Sequence, residues 1–147
     1  MAKIVFTVDN INYKGGGHFA TFKIANYLCI SGHTVILYSP VKAEKSVYEH
    51  VAKGVRITQK ESFADADYIV VPFENSEFFE RVAALKAGRA KKIQWIHVDY
   101  GVWKYVVQDD TERRRRLLAA YDRIVFVSES NRKNFLKYFP EYAGKSA

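Results

Sequence analysis

The chain has a single cysteine, Cys29, among its 147 residues. No internal disulfide is open to it, and this scarcity fits a reducing, cytoplasmic home. Long apolar runs are also missing: a membrane-spanning helix needs about 18 apolar residues in succession, and no run approaches that. The opening Met1-Ala2-Lys3-Ile4-Val5-Phe6 enters a short apolar run that stops at Asp9, without a small-residue cleavage site, so it does not read as a secretory leader. There is no H-E-x-x-H, no cysteine pair and no G-x-S-x-G, which leaves zinc- and serine-hydrolase readings without support. Acidic residues are few: 16 Asp and Glu stand against 23 Lys and Arg, for a net charge of +7. That balance favours an anionic partner (nucleotide, phosphate, nucleic acid or an anionic lipid surface) without choosing among them, and many small basic proteins bind no anion.

What is present is a core-forming composition, 48% hydrophobic and 15% aromatic, which excludes disordered and low-complexity classes. The length suits one domain, 1–147. Short runs of β-formers alternate with helical patterns. Strands are expected at Lys3–Val8, Thr34–Tyr38, Val55–Thr58, Asp67–Phe73, Lys92–His97 and Arg123–Ser128. A first helix is expected from about Gly17 to Ser31, with Ala20, Ile24 and Leu28 on one face, Phe22, Ala25 and Cys29 beside them, and Gly32 as its stop. Further helices are expected near Val47–Val51, from Ser76 to Ala87, from Asp110 to Ala120, and from Ser130 until Pro140 ends it. This alternation predicts an α/β fold: a Rossmann-like, doubly wound parallel sheet of about six strands between two helical layers. The nearly continuous apolar strands predict a sheet covered on both faces.

In such a sheet, ligands bind beyond the carboxyl ends of the strands. Lys14-Gly15-Gly16-Gly17-His18 falls there, between strand one and the first helix. Its glycines let backbone amides approach a ligand, and the helix start favours an anion. The loop is neither G-x-G-x-x-G nor a Walker A sequence. His97 ends strand five and reads equally as a site residue or as a histidine packed under the next loop. Ser128 and Ser130 open the last helix, where either serves as an N-cap and also stands within reach of a ligand. Asp65-Ala66-Asp67 lies at the amino end of strand four, the wrong edge for a metal-held ligand. Arg113–Arg116 has acids placed for i,i+4 pairing (Asp109 with Arg113, Asp110 with Arg114, Glu112 with Arg116), which reads as a solvated helix face. Lys86, Arg89, Lys91 and Lys92 have no neighbouring acid in sequence and make the better anionic-surface candidate.

Three segments, taken in order, resemble one family. They are Gly15-Gly16-Gly17-His18 with Ile24–Leu28 and Gly32-His33-Thr34-Val35; Trp95-Ile96-His97-Val98-Asp99; and Tyr121–Ser130 running on through Phe135-Leu136 to Phe139-Pro140. Together they are similar to the N-terminal domain of the family 4 retaining glycosyltransferases of the GT-B fold, over essentially the whole chain. The resemblance implies transfer of a sugar from a nucleotide-sugar donor to a polysaccharide or glycolipid acceptor, with retention of configuration. It implies no cofactor and no bound metal. His97 would be the catalytic residue beside the donor sugar. Gly15, Gly16, Gly17, His18, Asp99, Ser128 and Glu129 would bind substrate or donor. Tyr100, Trp103 and Tyr105 would belong to the acceptor loop, stacking on sugar faces or forming a core lid. The family's second domain, with its basic grip on the diphosphate and its E-x7-E segment, is not among these residues. A C-terminal donor-binding domain is therefore expected in cis or as a separate chain, and the chain alone is expected to be inactive. Cytoplasmic action with peripheral contact at a membrane's cytoplasmic face is expected, and no nucleic-acid partner. The rival reading is a stand-alone nucleotide- or phosphate-binding module without catalysis.

Overall fold

A computed structural model describes residues 1–86 and 88–147. Six strands form one parallel sheet: β1 (Lys3–Thr7), β2 (Thr34–Tyr38), β3 (Arg56–Thr58), β4 (Tyr68–Val71), β5 (Lys91–Ile96) and β6 (Arg123–Phe126), in the order β3-β2-β1-β4-β5-β6. The order reverses between β1 and β4, which are themselves parallel neighbours with Val5 opposite Ile69. That reversal is the topological switch of a doubly wound sheet. The helices are α1 (Gly16–Ile30), α2 (Lys45–Tyr48), α3 (Phe78–Ala83), α4 (Tyr100–Val106), α5 (Thr111–Leu118) and α6 (Glu129–Leu136). The expected end of α3 at Ala87 lies outside the described residues. Pro140 does not terminate α6, which has already ended; it opens a 3-10 turn, Pro140–Lys145. No helix among the described residues is long and apolar enough to cross a membrane.

Strand alternation divides the interior into two cores. One side holds Val5, Ile69, Val71, Ile96 and Ile124 against Phe79 of α3, Tyr100 of α4, Leu118 of α5 and Phe135 of α6. The other holds Ile4, Phe6, Val35 and Leu37 against Phe22 and Ala25 of α1 and Val47 of α2. Right-handed crossovers place α3, α4 and α5 on one face, running toward β6, and α1 and α2 on the other, running toward β3; α6 follows β6 onto the first face.

The second face is only half covered, which corrects the expectation of a sheet buried on both sides. Beyond α1, the residues Val70, Ile93, Trp95 and Val125 floor an open groove of about 690 Å³. Ile24 and Leu28 form its wall, and Ile24 is 42% exposed. The buried stripe of α1 is accordingly Thr21, Phe22 and Ala25 rather than Ala20, Ile24 and Leu28. Helical periodicity identified an apolar surface wider than the one strand pair α1 covers.

Candidate functional site

β1 delivers the chain to Asp9 and Asn10, and a loop carries it to Gly15, the residue before α1. No side chain among the described residues caps the start of α1, and its first turn has no acid. The His18 and Phe19 amides donate back to the Gly15 carbonyl at 3.1 and 3.2 Å. The amides of Gly16 and Gly17 lead the helix, at the positive end of its dipole. The three glycines are not equivalent. A Cβ at Gly16 would meet open space, whereas one at Gly17 would stand 2.8 Å from the Phe73 ring and 3.7 Å from His97 Nδ1. Glycine at 17 therefore lets the start of α1 close onto the ends of β4 and β5.

That closure assembles an aromatic row. His18 stacks on Phe73 with ring centres 4.7 Å apart; Phe73 lies 5.8 Å from His97, and His97 lies 4.3 Å from Trp95. His18 Nε2–H donates to the Asn10 carbonyl at 2.9 Å, which leaves Nδ1 as an acceptor. Burial lowers the pKa of His18, outweighing the opposing effects of the Asn10 bond and the Asp9 charge. Burial also lowers that of His97, with the neighbouring His18 adding to it. In both cases burial disfavours the charged imidazole. His97 Nε2 is shielded from solvent and has no hydrogen-bond partner among the described residues. A shielded polar atom without a partner is uncommon in folded proteins and marks a candidate functional group.

Sequence reasoning missed Glu74, which follows β4. It is 5% exposed, and its carboxylate accepts the amides of both His97 and Val98, the latter at 3.0 Å. Burial pushes its pKa up against the lowering effect of those amides and of Arg114. Its position at a strand's carboxyl end is the one signal the sequence offers for it.

The other expected residues divide. Asp99 caps α4, accepting the Gly101 amide at 2.9 Å through Oδ1 and Asn134 Nδ2–H at 2.7 Å through Oδ2. Ser128 caps α6 by accepting the Asn131 amide at 3.1 Å. Asn131 Nδ2–H in turn donates to the His97 carbonyl at 3.4 Å, so this cap borders the site. Glu129 pairs with Arg132 at 3.1 Å on the exposed flank of α6. Tyr100 is 1% exposed and packs among Phe135, Tyr138 and Phe139, so it takes the core-lid role and offers no face to a sugar. Burial pushes its hydroxyl pKa up to about 12. Trp103 packs partly against the same core, while Tyr105 is exposed.

The charge runs pair differently from the expectation. None of the expected i,i+4 pairs in Arg113–Arg116 forms. Arg113 pairs with Glu80, Arg115 with Glu112 and Glu141, and Arg114 turns inward onto Asp109 at 2.7 Å. Arg114 is 7% exposed, so the run is not simply a solvated face. In the Lys86–Lys92 segment, Arg89 meets Asp67 and Lys91 meets Asp122, acids distant in sequence. Lys92 is buried and donates to the Ala83 and Leu85 carbonyls, closing the end of α3. Asp65 pairs with Lys3, and Asp67 also accepts the Lys3 amide at 2.8 Å, so both members of that D-x-D are held in the sheet's amino edge. His33 Nδ1 accepts the Ala2 amide at 3.1 Å, a structural role. No protein-family model matches the chain and no curated protein matches it, so the functional reading rests on the motifs and on this geometry.

Proposed function

We propose that this chain is the acceptor-side half of a GT-B-type retaining glycosyltransferase that works with a donor-binding domain supplied in cis or by another chain. The observation that carries the reading is the nearness of Gly17 to His97, where a Cβ at 17 would stand 3.7 Å from Nδ1: an uncapped helix start and a histidine whose charged form is disfavoured by burial share one corner of the sheet's carboxyl edge. The amides of Gly16 and Gly17 suit a diphosphate, because a helix start combines unpaired N–H groups with a favourable dipole. A neutral imidazole suits hydrogen bonding to a sugar hydroxyl, since it offers one donor and one acceptor. Such preorganised groups act where charge develops, which in this reaction is the departing diphosphate. Tyr105 and the partly exposed Trp103 are the remaining aromatic surfaces for an acceptor sugar. The test is an NMR titration of the chain with UDP-, GDP-, ADP- and dTDP-linked sugars at millimolar concentration. Weak, saturable shifts confined to Gly16, Gly17, His18 and His97 are expected for one of them. Silence at all four residues with every donor overturns the reading, and tight binding without the second domain would favour the stand-alone binding module.

A further inference from the structure

We propose that Glu74 is a positioning residue for His97, held in place by a buried ion pair between α4 and α5; the inference rests on the reading of His97 as a substrate-contacting group. The amides that Glu74 accepts, those of His97 and Val98, belong to the two peptide planes that bracket the His97 Cα. Fixing both planes fixes φ and ψ of His97, and so the direction of its Cα–Cβ bond. The ring is then packed by Trp95 at 4.3 Å and Phe73 at 5.8 Å. His97 lies where the chain has just left β5, past the end of the sheet ladder. Without Glu74 its amide and the next would lose their acceptor.

Glu74 is itself anchored. Arg114 Nη2–H donates to the Glu74 carbonyl at 3.0 Å. The guanidinium lies 4.7 Å from the ring centres of both Phe79 and Trp103. Asp109 accepts it twice, at 2.7 and 3.1 Å, and also accepts the Tyr100 hydroxyl at 2.8 Å. Burying a carboxylate is costly unless it is well hydrogen-bonded, and here the bonds go to the backbone on either side of the site histidine. An amide pair in a loop can be satisfied by water at no such cost. The geometry therefore links the α4–α5 corner, where Trp103 sits, to the orientation of His97.

The experiment compares Glu74→Ala, Glu74→Asp and Glu74→Gln in the full chain by NMR, reading the ring protons of His97, which Trp95 and Phe73 shift by their ring currents. Glu74→Gln keeps an acceptor of the same reach and is expected to retain the wild-type His97 signals. Glu74→Asp is one methylene shorter and is expected to lose most of the ring-current shift while the chain stays folded. Glu74→Ala is expected to lose it fully, with a lower melting temperature. A folded Glu74→Asp protein whose His97 signals are unchanged overturns the proposal, because a merely structural Glu74 would lower stability without turning that ring. The substrate reading fails on a different observable, the silence of the wild-type Gly16 and Gly17 amides toward every nucleotide sugar.

Discussion

The two edges of the sheet carry similar residue types and use them oppositely. At the amino edge, Asp67 accepts the Lys3 amide and Asp122 accepts the Lys92 amide, both at 2.8 Å. Lys92 closes the end of α3, and Lys145 closes the end of α5 by donating to Leu118 and Tyr121 carbonyls at 2.7 Å each. Charge there is spent on helix ends and strand starts. At the carboxyl edge the start of α1 is uncapped, His97 Nε2 has no partner among the described residues, and burial disfavours the charged form of two histidines. Behind these groups lies a paired layer, Glu74 with Arg114 and Asp109. The difference teaches that a site is marked by polar groups that a rigid, satisfied layer holds unsatisfied, rather than by charge itself.

The comparison breaks most visibly at that supporting layer. Asp109→Ala leaves Arg114 buried without its carboxylate, and removing one partner of a buried pair costs about 3–5 kcal/mol. A urea titration should show this as the largest loss of stability among these variants. Lys92→Met, at the opposite edge, strips two carbonyls of their donor and should cost about 1–3 kcal/mol. Its Gly17 and His97 signals should stay at wild-type positions; movement there would mean the edges are coupled.

Gly17→Ala should reverse that pattern. The new methyl meets the Phe73 ring at 2.8 Å, a cost of about 1–3 kcal/mol partly offset by alanine's better helix propensity. The response of Gly16 and His97 to nucleotide sugar should nevertheless disappear. Gly16→Ala faces open space and should leave both the fold and the His97 ring in place, so equal effects of the two variants would refute the argument from closure.

The smallest effect is a pH dependence confined to the carboxyl edge. His18 and His97 have folded pKa values below their ordinary 6.5. The unfolded chain then binds more protons in the window between, so stability is full above pH 6.5 and falls as pH drops below it. Glu74 acts in the opposite sense: its raised pKa makes the folded state bind more protons just above pH 4.5, so its contribution weakens as pH rises there. Thermal melts between pH 5 and 7 should show the histidine slope, and replacing His18 and His97 by Gln should flatten it. An unchanged slope would place the titrating groups elsewhere.

Much of this edge could be read in advance. The glycines at 15–17 announce the turn into a helix start, although only at Gly15 and Gly17 would a Cβ crowd a neighbour, and Ser128 has the local chemistry of an N-cap. Glu74 could not be recognised, because what makes it notable is burial beside His97, 23 residues away. Arg114 departs from its expected pairing for a related reason: i,i+4 spacing describes neighbours on an isolated helix, whereas the fold offers it Asp109 of the α4–α5 linker, Phe79 of α3 and Trp103 of α4.

The sequence by itself determined the α/β class, the six strands, the start of α1 and the placing of His97 at a strand's end, since each depends on local propensity or on a period of two or 3.6 residues. Only the tertiary structure decided which apolar stripe of α1 is buried, that β4 to β6 keep one face open, that Asp67 and Asp122 neutralise Arg89 and Lys91, and that Gly17 closes on His97. These depend on which elements become neighbours across the sheet. Periodicity gives the direction a side chain takes from its own helix or strand, and the crossovers decide what it finds there.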